Sequence, residues 1–399
     1  MPQSRGCRGD SGLRGSAVWS SGFRPFFLAA AAYGPLLLAA WYGERNGWWP
    51  LASAAISPAL LHAHELLFGF ASALVCGVLL TALPSWSGAT EQRGRRLVAL
   101  SALWLAGRFA FFGVEWLGWP LAMILDGALL PALAVLLFAS LRAARRLLFW
   151  WTLPPLAAFA AANFLFYGAL ARGSESGARW ALMLGVHGLA FLFTLYGGLF
   201  IPAFTRRWLL ARGERAAKIL MPLEYATALA MVAFACADLL GAPAPWIAAA
   251  ALAAAAIHAW RFARWRGWRT ASEPLLWCIH LGYAWLIAAL VLRAASEWIA
   301  AVPRETWIHA FTIGAYGMLK IGLMTRVALR HTGRPLHASV PMQVAFVLML
   351  AASLARLAYS VHNLGEWLLG ASALLWGAAF LLYLIVHGPM LLRPSLPRA

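Results

Sequence analysis

Apolar residues run in long stretches along almost the whole chain, broken at intervals by short polar segments rich in arginine. A helix rising 1.5 Å per residue needs about 20 apolar residues to cross roughly 30 Å of hydrocarbon. Cutting the chain where charges or Pro/Gly pairs interrupt such runs predicts twelve helices. They fall near residues 24–43, 58–83, 97–117, 119–141, 149–171, 179–204, 219–240, 245–264, 274–294, 305–326, 340–361 and 363–386. The fold predicted is an all-α integral membrane protein, a polytopic bundle of twelve transmembrane helices. It forms a single domain over 24–386, between short basic tails at 1–23 and 387–399.

The basic residues supply a second reading of the same pattern, because cytoplasmic loops are enriched in Lys and Arg. With the N-terminus placed inside, 24 of the 32 Lys and Arg fall on inner segments, including Arg93, Arg95, Arg96, Arg145, Arg146, Arg206, Arg207, Arg326 and Arg398. Only Arg45, Arg172, Arg179, Arg293 and Arg304 fall on outer ones, and Arg108, Lys320 and Arg356 lie within spans. This alternation puts both termini in the cytoplasm, since a missed or extra helix inverts half of it. The loops are short and leave no room for a soluble domain, so function is expected between the helices.

Composition removes the main alternatives. With 62% apolar and 12% charged residues and a mean hydropathy of +0.72, the chain has more apolar surface than a soluble core can hide. The 22 Trp and 22 Phe suit the two edges of a bilayer. The net charge of +18 is therefore read as an orientation signal and not as a nucleic-acid footprint. Residues 1–23 lack the apolar region of a cleavable signal. Cys7, Cys76, Cys236 and Cys278 form no CxxC pair, which argues against disulfide and zinc frameworks.

Ionisable side chains inside hydrocarbon are expensive, which makes each one a functional candidate. His62, His64, His187 and His309 come from three helices and share a band roughly 6 to 12 Å below the outer surface. His62 and His64, two residues apart, point about 200° from one another on a regular helix. One helix then serves two sites; if its start is irregular, both imidazoles grip one metal. Glu65, three residues after His62, is placed to orient that imidazole. Tyr316 and Lys320 follow His309 on its own helix face, and Thr194, Gly198 and Thr205 follow His187 in the same way. His280, with Glu273 on its face, lies roughly 9 Å from the cytoplasmic side. Arg108 and Arg356 are placed to pair with haem propionates or with carboxylates such as Asp126. His258, His331, His337, His362 and His387, near span ends or in loops, are expected to be solvated.

Neutral imidazoles in a low-dielectric bundle favour haem iron and copper over hard cations, which want more carboxylates. The metal candidates are His62, His64, His187, His280 and His309, and the cofactor-contacting candidates Glu65, Arg108, Tyr316, Lys320 and Arg356. A histidine-lined transporter, or a protein that handles metal or haem along such a path, is the competing class.

A family likeness is carried by nine segments of the chain. The likeness runs through Gly-Phe-Arg-Pro-Phe-Phe at 22–27, His-Ala-His-Glu-Leu-Leu-Phe-Gly-Phe at 62–70, Leu-Thr-Ala-Leu-Pro-Ser-Trp-Ser-Gly at 80–88 and Trp-Leu-Ala-Gly-Arg at 104–108. It continues through Ile-Pro-Ala-Phe-Thr-Arg at 201–206, Glu-Pro-Leu-Leu-Trp at 273–277, His-Leu-Gly-Tyr-Ala-Trp at 280–285, Met-Thr-Arg-Val-Ala-Leu at 324–329 and His-Thr-Gly-Arg-Pro at 331–335. In these segments the chain resembles the NnrS family of membrane proteins, and the resemblance implies a twelve-helix protein of the bacterial inner membrane that holds haem and copper, binds nitric oxide or another small diatomic ligand, and supports tolerance of nitrosative stress. The electron donor it would use is unknown. Lys320 departs from the small polar residue usual in the family. Haem-copper nitric oxide reductases also carry a His-x-His helix, but late in the chain and beside an adjacent His pair that this chain lacks; the likeness to them is one of fold alone.

Overall fold

A computed structural model describes residues 16–49, 56–144, 147–362 and 364–397, with the side chains of 147, 148 and 362 left out. Most of the basic N-terminal tail, Cys7, Arg145, Arg146, Arg398 and the side chain of His362 thus lie outside the described residues. The described chain is helical, without strands.

The long helices are α1 Phe23–Arg45, α2 Pro58–Ser87, α3 Arg95–Phe112, α4 Trp119–Ala143, α5 Leu153–Leu170 and α6 Glu175–Leu210. After them come α7 Met221–Leu239, α8 Ala244–Arg264, α9 Pro274–Ala295, α10 at 306–331, α11 Val340–His362 and α12 Glu366–Leu392. Ten of these are long and apolar enough to cross a membrane, which makes the chain a multi-pass membrane protein. The other two are α3, with Arg95, Arg96 and Arg108, and α10, with His309, Lys320 and Arg326; polar residues lower the apolarity of both.

Helix ends follow local chemistry. Proline in the first turn, where its missing N–H is not needed, opens α2, α5, α7, α8 and α9. Ser174 caps α6 by accepting from the Gly177 N–H at 3.1 Å. Several boundaries differ from expectation: α2 ends at Ser87 and not 83, α6 spans Glu175–Leu210 and not 179–204, and α10 runs to 331 and not 326. The third span ends at Phe112, and Gly113 separates it from a short turn over Val114–Leu117. The last helix continues to Leu392, so His387, expected in a solvated tail, is buried and stacked on Tyr383.

Helices adjacent in the chain pack together, and α12 closes against α1. In α2 and α6, 89% and 83% of the most apolar stretch is buried, against 28% in α7 and α11, so the first pair forms the centre and the second the lipid-facing wall. Two π-helical segments interrupt otherwise regular helices, Glu65–Ala71 in α2 and Ala310–Gly317 in α10. Each begins one residue after a candidate histidine. They touch directly, because the Tyr316 hydroxyl donates to the Ala71 carbonyl at 3.0 Å.

Candidate functional site

His62 and His64 leave α2 toward different surroundings. His64 is fully buried where α1 to α5 meet. Its Nδ1 lies 3.0 Å from Glu65 Oε1, and its Nε2 lies 2.9 Å from Asn163 Oδ1 and 3.3 Å from Asp126 Oδ2. Its ring stacks on Phe111 at 4.2 Å. Arg108 of α3 bridges the two carboxylates, Glu65 and Asp126, while Tyr33 donates to Glu65 and Tyr167 to Asp126. The close fit needs glycine at two places. A Cβ at Gly69 would stand 2.7 Å from the Tyr33 ring, and one at Gly107 would stand 2.8 Å from Asp126 Oδ1. Glu65 therefore serves His64 and not His62, and Arg108 pairs with Asp126 and Glu65, the carboxylate option for that arginine.

His62 lies on the wall of a cavity of about 780 Å³ bounded mainly by α2, α6, α10 and α12, with Leu38 and Trp41 of α1, Asp238 and Leu239 of α7 and Arg356 of α11. Its ring packs 4.2 Å from Trp41, and its Nδ1 is buried without a hydrogen-bond partner. His309 of α10 is on the same wall system, with Nδ1 3.1 Å from the Glu305 carbonyl and Nε2 3.0 Å from Arg356 Nη2. A carbonyl only accepts and a guanidinium only donates, so Nδ1 carries the proton and the Nε2 lone pair faces Arg356. Tyr316, Thr312 and Trp376 also line the cavity.

At the edge of this cavity His187 Nε2 lies 2.9 Å from Asp238 Oδ2. Asp238 also accepts from Arg293, whose guanidinium reaches Glu297 at 2.6 Å, and Glu297 accepts from Arg304 at 3.1 Å. His187 itself does not line the cavity; Asp238, Arg293 and Trp307 stand there. Its Nδ1 is buried and unpartnered.

His280 belongs to a separate polar centre toward the opposite end of the bundle. Its Nε2 is 2.8 Å from Thr205 Oγ1, and a Cβ at Gly267 would collide with the ring. Nearby, His258 Nδ1 lies 2.7 Å from the Tyr283 hydroxyl, which also accepts from Arg261 at 3.0 Å; Arg261 pairs with Glu224 and donates to the Thr194 carbonyl. His258, expected to be solvated, is fully buried, because α8 carries it into the bundle beside Tyr283 and not out to its end. The polar stripe of α6 reads correctly as inward-facing: Gly198 faces Arg261 and Thr205 faces His280. Glu273 instead caps α9, accepting from the Leu275 N–H at 3.4 Å. Lys320 is 7% exposed, its ammonium 4.8 Å from the Tyr316 ring beside a void of about 20 Å³, and no carboxylate pairs with it among the described residues.

Sequence reasoning missed Asn163, Tyr167, Tyr33, Asp238, Tyr283 and Glu224 as members of these centres. Asp238 and Glu224 carried the one available signal, a carboxylate in an apolar run.

Haem would fit the large cavity. Its volume is within the roughly 300–1,000 Å³ of small-molecule sites. The lining is largely apolar and aromatic, offers two imidazoles, and includes Arg356, an arginine without a carboxylate partner among the described residues. Copper finds no such match. The one group of three possible ligands among the described residues is His64, Glu65 and Asp126, whose ligand atoms lie within 4.8 Å of one another. Arg108 already joins its two carboxylates, and both ring nitrogens of His64 face oxygens.

No curated protein matches the chain. The model of the NnrS protein family matches residues 17–395, nearly the whole length, and the chain belongs to that family.

Proposed function

From membership of the NnrS family, we propose that the chain is a bacterial inner-membrane protein acting in tolerance of nitric oxide. In this reading it crosses the bilayer twelve times, α3 and α10 included, with both termini in the cytoplasm. It holds haem in the 780 Å³ cavity. The observation that carries the haem assignment is the meeting of His62 and His309 on one apolar cavity wall system beside Arg356.

His309 is the residue that would hold the iron. The Glu305 carbonyl fixes its tautomer so that Nε2 keeps a lone pair, the usual arrangement of a metal-bound imidazole. Bound haem supplies an iron site with affinity for small diatomic ligands such as nitric oxide. Around it, Trp41 and Trp376 exclude water, His62 presents a second imidazole, and Arg356 offers donors to an acid group. Copper is assigned to no set of residues, and neither is an electron donor.

The test is a visible spectrum of the detergent-purified protein from cells supplied with haem. A Soret band that H309A abolishes and H62A alters is expected. Absence of the band from the wild type, or an unchanged spectrum in H309A, would refute the assignment. In cells lacking the gene, the wild type is expected to restore growth under a nitric oxide donor and H309A not to.

A further inference from the structure

Four arginines line the large cavity, and three are matched by carboxylates. Arg179 pairs with Glu175 at 2.8 Å, Arg293 with Asp238 and Glu297 at 2.6 Å each, and Arg304 with Glu297 at 3.1 Å. Arg356 is different. Its Nη1 donates to Ser360 Oγ at 2.6 Å and its Nη2 to His309 Nε2 at 3.0 Å, with no carboxylate in ion-pair reach among the described residues. Its full charge is therefore turned toward two neutral acceptors and the Tyr359 ring, 5.1 Å away, at a half-buried wall. One of those acceptors is the only lone pair that His309 has to give, because Nδ1 is committed to the Glu305 carbonyl.

We propose that Arg356 is a two-position arm. Its guanidinium rests either on the His309 Nε2 lone pair or on the carboxylate of a ligand in the cavity, and the second position frees Nε2 to bind a metal. The proposal rests on the haem reading above and adds to it a selectivity for acid-bearing ligands. A carboxylate brings a full opposite charge and can take two N–H groups of the guanidinium fork at once, whereas the imidazole offers one neutral lone pair, so a ligand acid outcompetes the imidazole. One movement then does two things: it seats the acid and uncovers the iron ligand. A porphyrin without free acids must displace Arg356 from His309 with nothing to receive it.

Titration of the haem-free purified protein with iron protoporphyrin and with its dimethyl ester tests this, using H309A to subtract partition into detergent. The wild type is expected to bind the free acid about 10- to 100-fold more tightly, the range for a hydrogen bond to a charged group. In Arg356→Met the two porphyrins are expected to bind alike, with the ester bound more tightly than by the wild type and the iron–imidazole Soret position kept. Arg356→Lys is expected to recover part of the preference, which a merely structural arginine would not show. Equal binding of acid and ester by the wild type, or a preference that survives in both variants, overturns the two-position arm while leaving the haem reading in place. If the wild type binds neither porphyrin, the haem reading falls and takes the arm with it.

Discussion

His62 and His64 stand two residues apart on α2 and meet opposite conditions. His64 sits in a closed cluster in which Glu65, Asp126, Asn163, two tyrosines and both terminal nitrogens of Arg108 bond to one another, with only Arg108 Nε left over among their described contacts. His62 borders an open cavity, one ring nitrogen unpartnered, opposite a helix whose own histidine meets a backbone carbonyl and the Arg356 guanidinium. In a low-dielectric interior a densely bonded polar network rigidifies what surrounds it, whereas groups with unmet bonding capacity beside a cavity are available to a ligand. The pair thus separates two tasks that composition alone would lump together as intramembrane histidines. The cluster fixes where α2 stands against α1, α3, α4 and α5, and that position presents His62 to the cavity.

Substitutions in the two regions should therefore read out differently. Arg108→Met leaves Glu65 and Asp126 buried without their cation, and is expected to destabilise the protein by about 3–5 kcal/mol. Thermal unfolding in detergent should show the largest loss of any change considered; a shift within about 1 kcal/mol would remove the cluster's structural role. Gly69→Ala pushes a methyl group against the Tyr33 ring and is expected to lose about 1–3 kcal/mol by overpacking. An unchanged melting midpoint would mean that the approach of α1 to α2 is loose. Lys320→Met has the opposite sign. It replaces a buried cation that has no ion partner with an apolar chain of similar length, and a gain of about 1 kcal/mol is expected. A loss there would point to a carboxylate or anion that the lysine serves. His62→Ala should move stability least, by less than about 1 kcal/mol, while altering the porphyrin spectrum. A large fall in stability with no spectral change would make the cavity wall structural and the comparison void.

Much of the helical layout was legible in the sequence, for a physical reason. A bilayer demands long apolar stretches with internally bonded backbone, so helix placement is written locally. The starts of α8 and α9 fall within a residue of their expected positions, and the inward polar stripe on α6 follows from 3.6-residue periodicity. The divergence of His62 and His64 was likewise readable from a two-residue spacing. Errors gathered where one helix must be placed against another. A spacing of three sets Glu65 beside His62 on a regular helix, but the π-helical segment that begins at Glu65 lies outside regular periodicity, and the carboxylate turns to His64 and Arg108. His258 was expected in solvent because α8 ends six residues later, yet Tyr283 of α9 draws it inside.

The order of residues alone thus specifies an all-helical membrane chain, its rough span boundaries, and an inventory of histidines and arginines too polar for lipid. Packing of helix on helix settles which of them answer one another: Arg108 with Glu65 and Asp126, His187 with Asp238, His280 with Thr205, and His309 with Arg356. Hydrophobic periodicity records how each helix meets lipid and core. It carries no record of which neighbour stands across the gap, and a buried polar group takes its role from that neighbour.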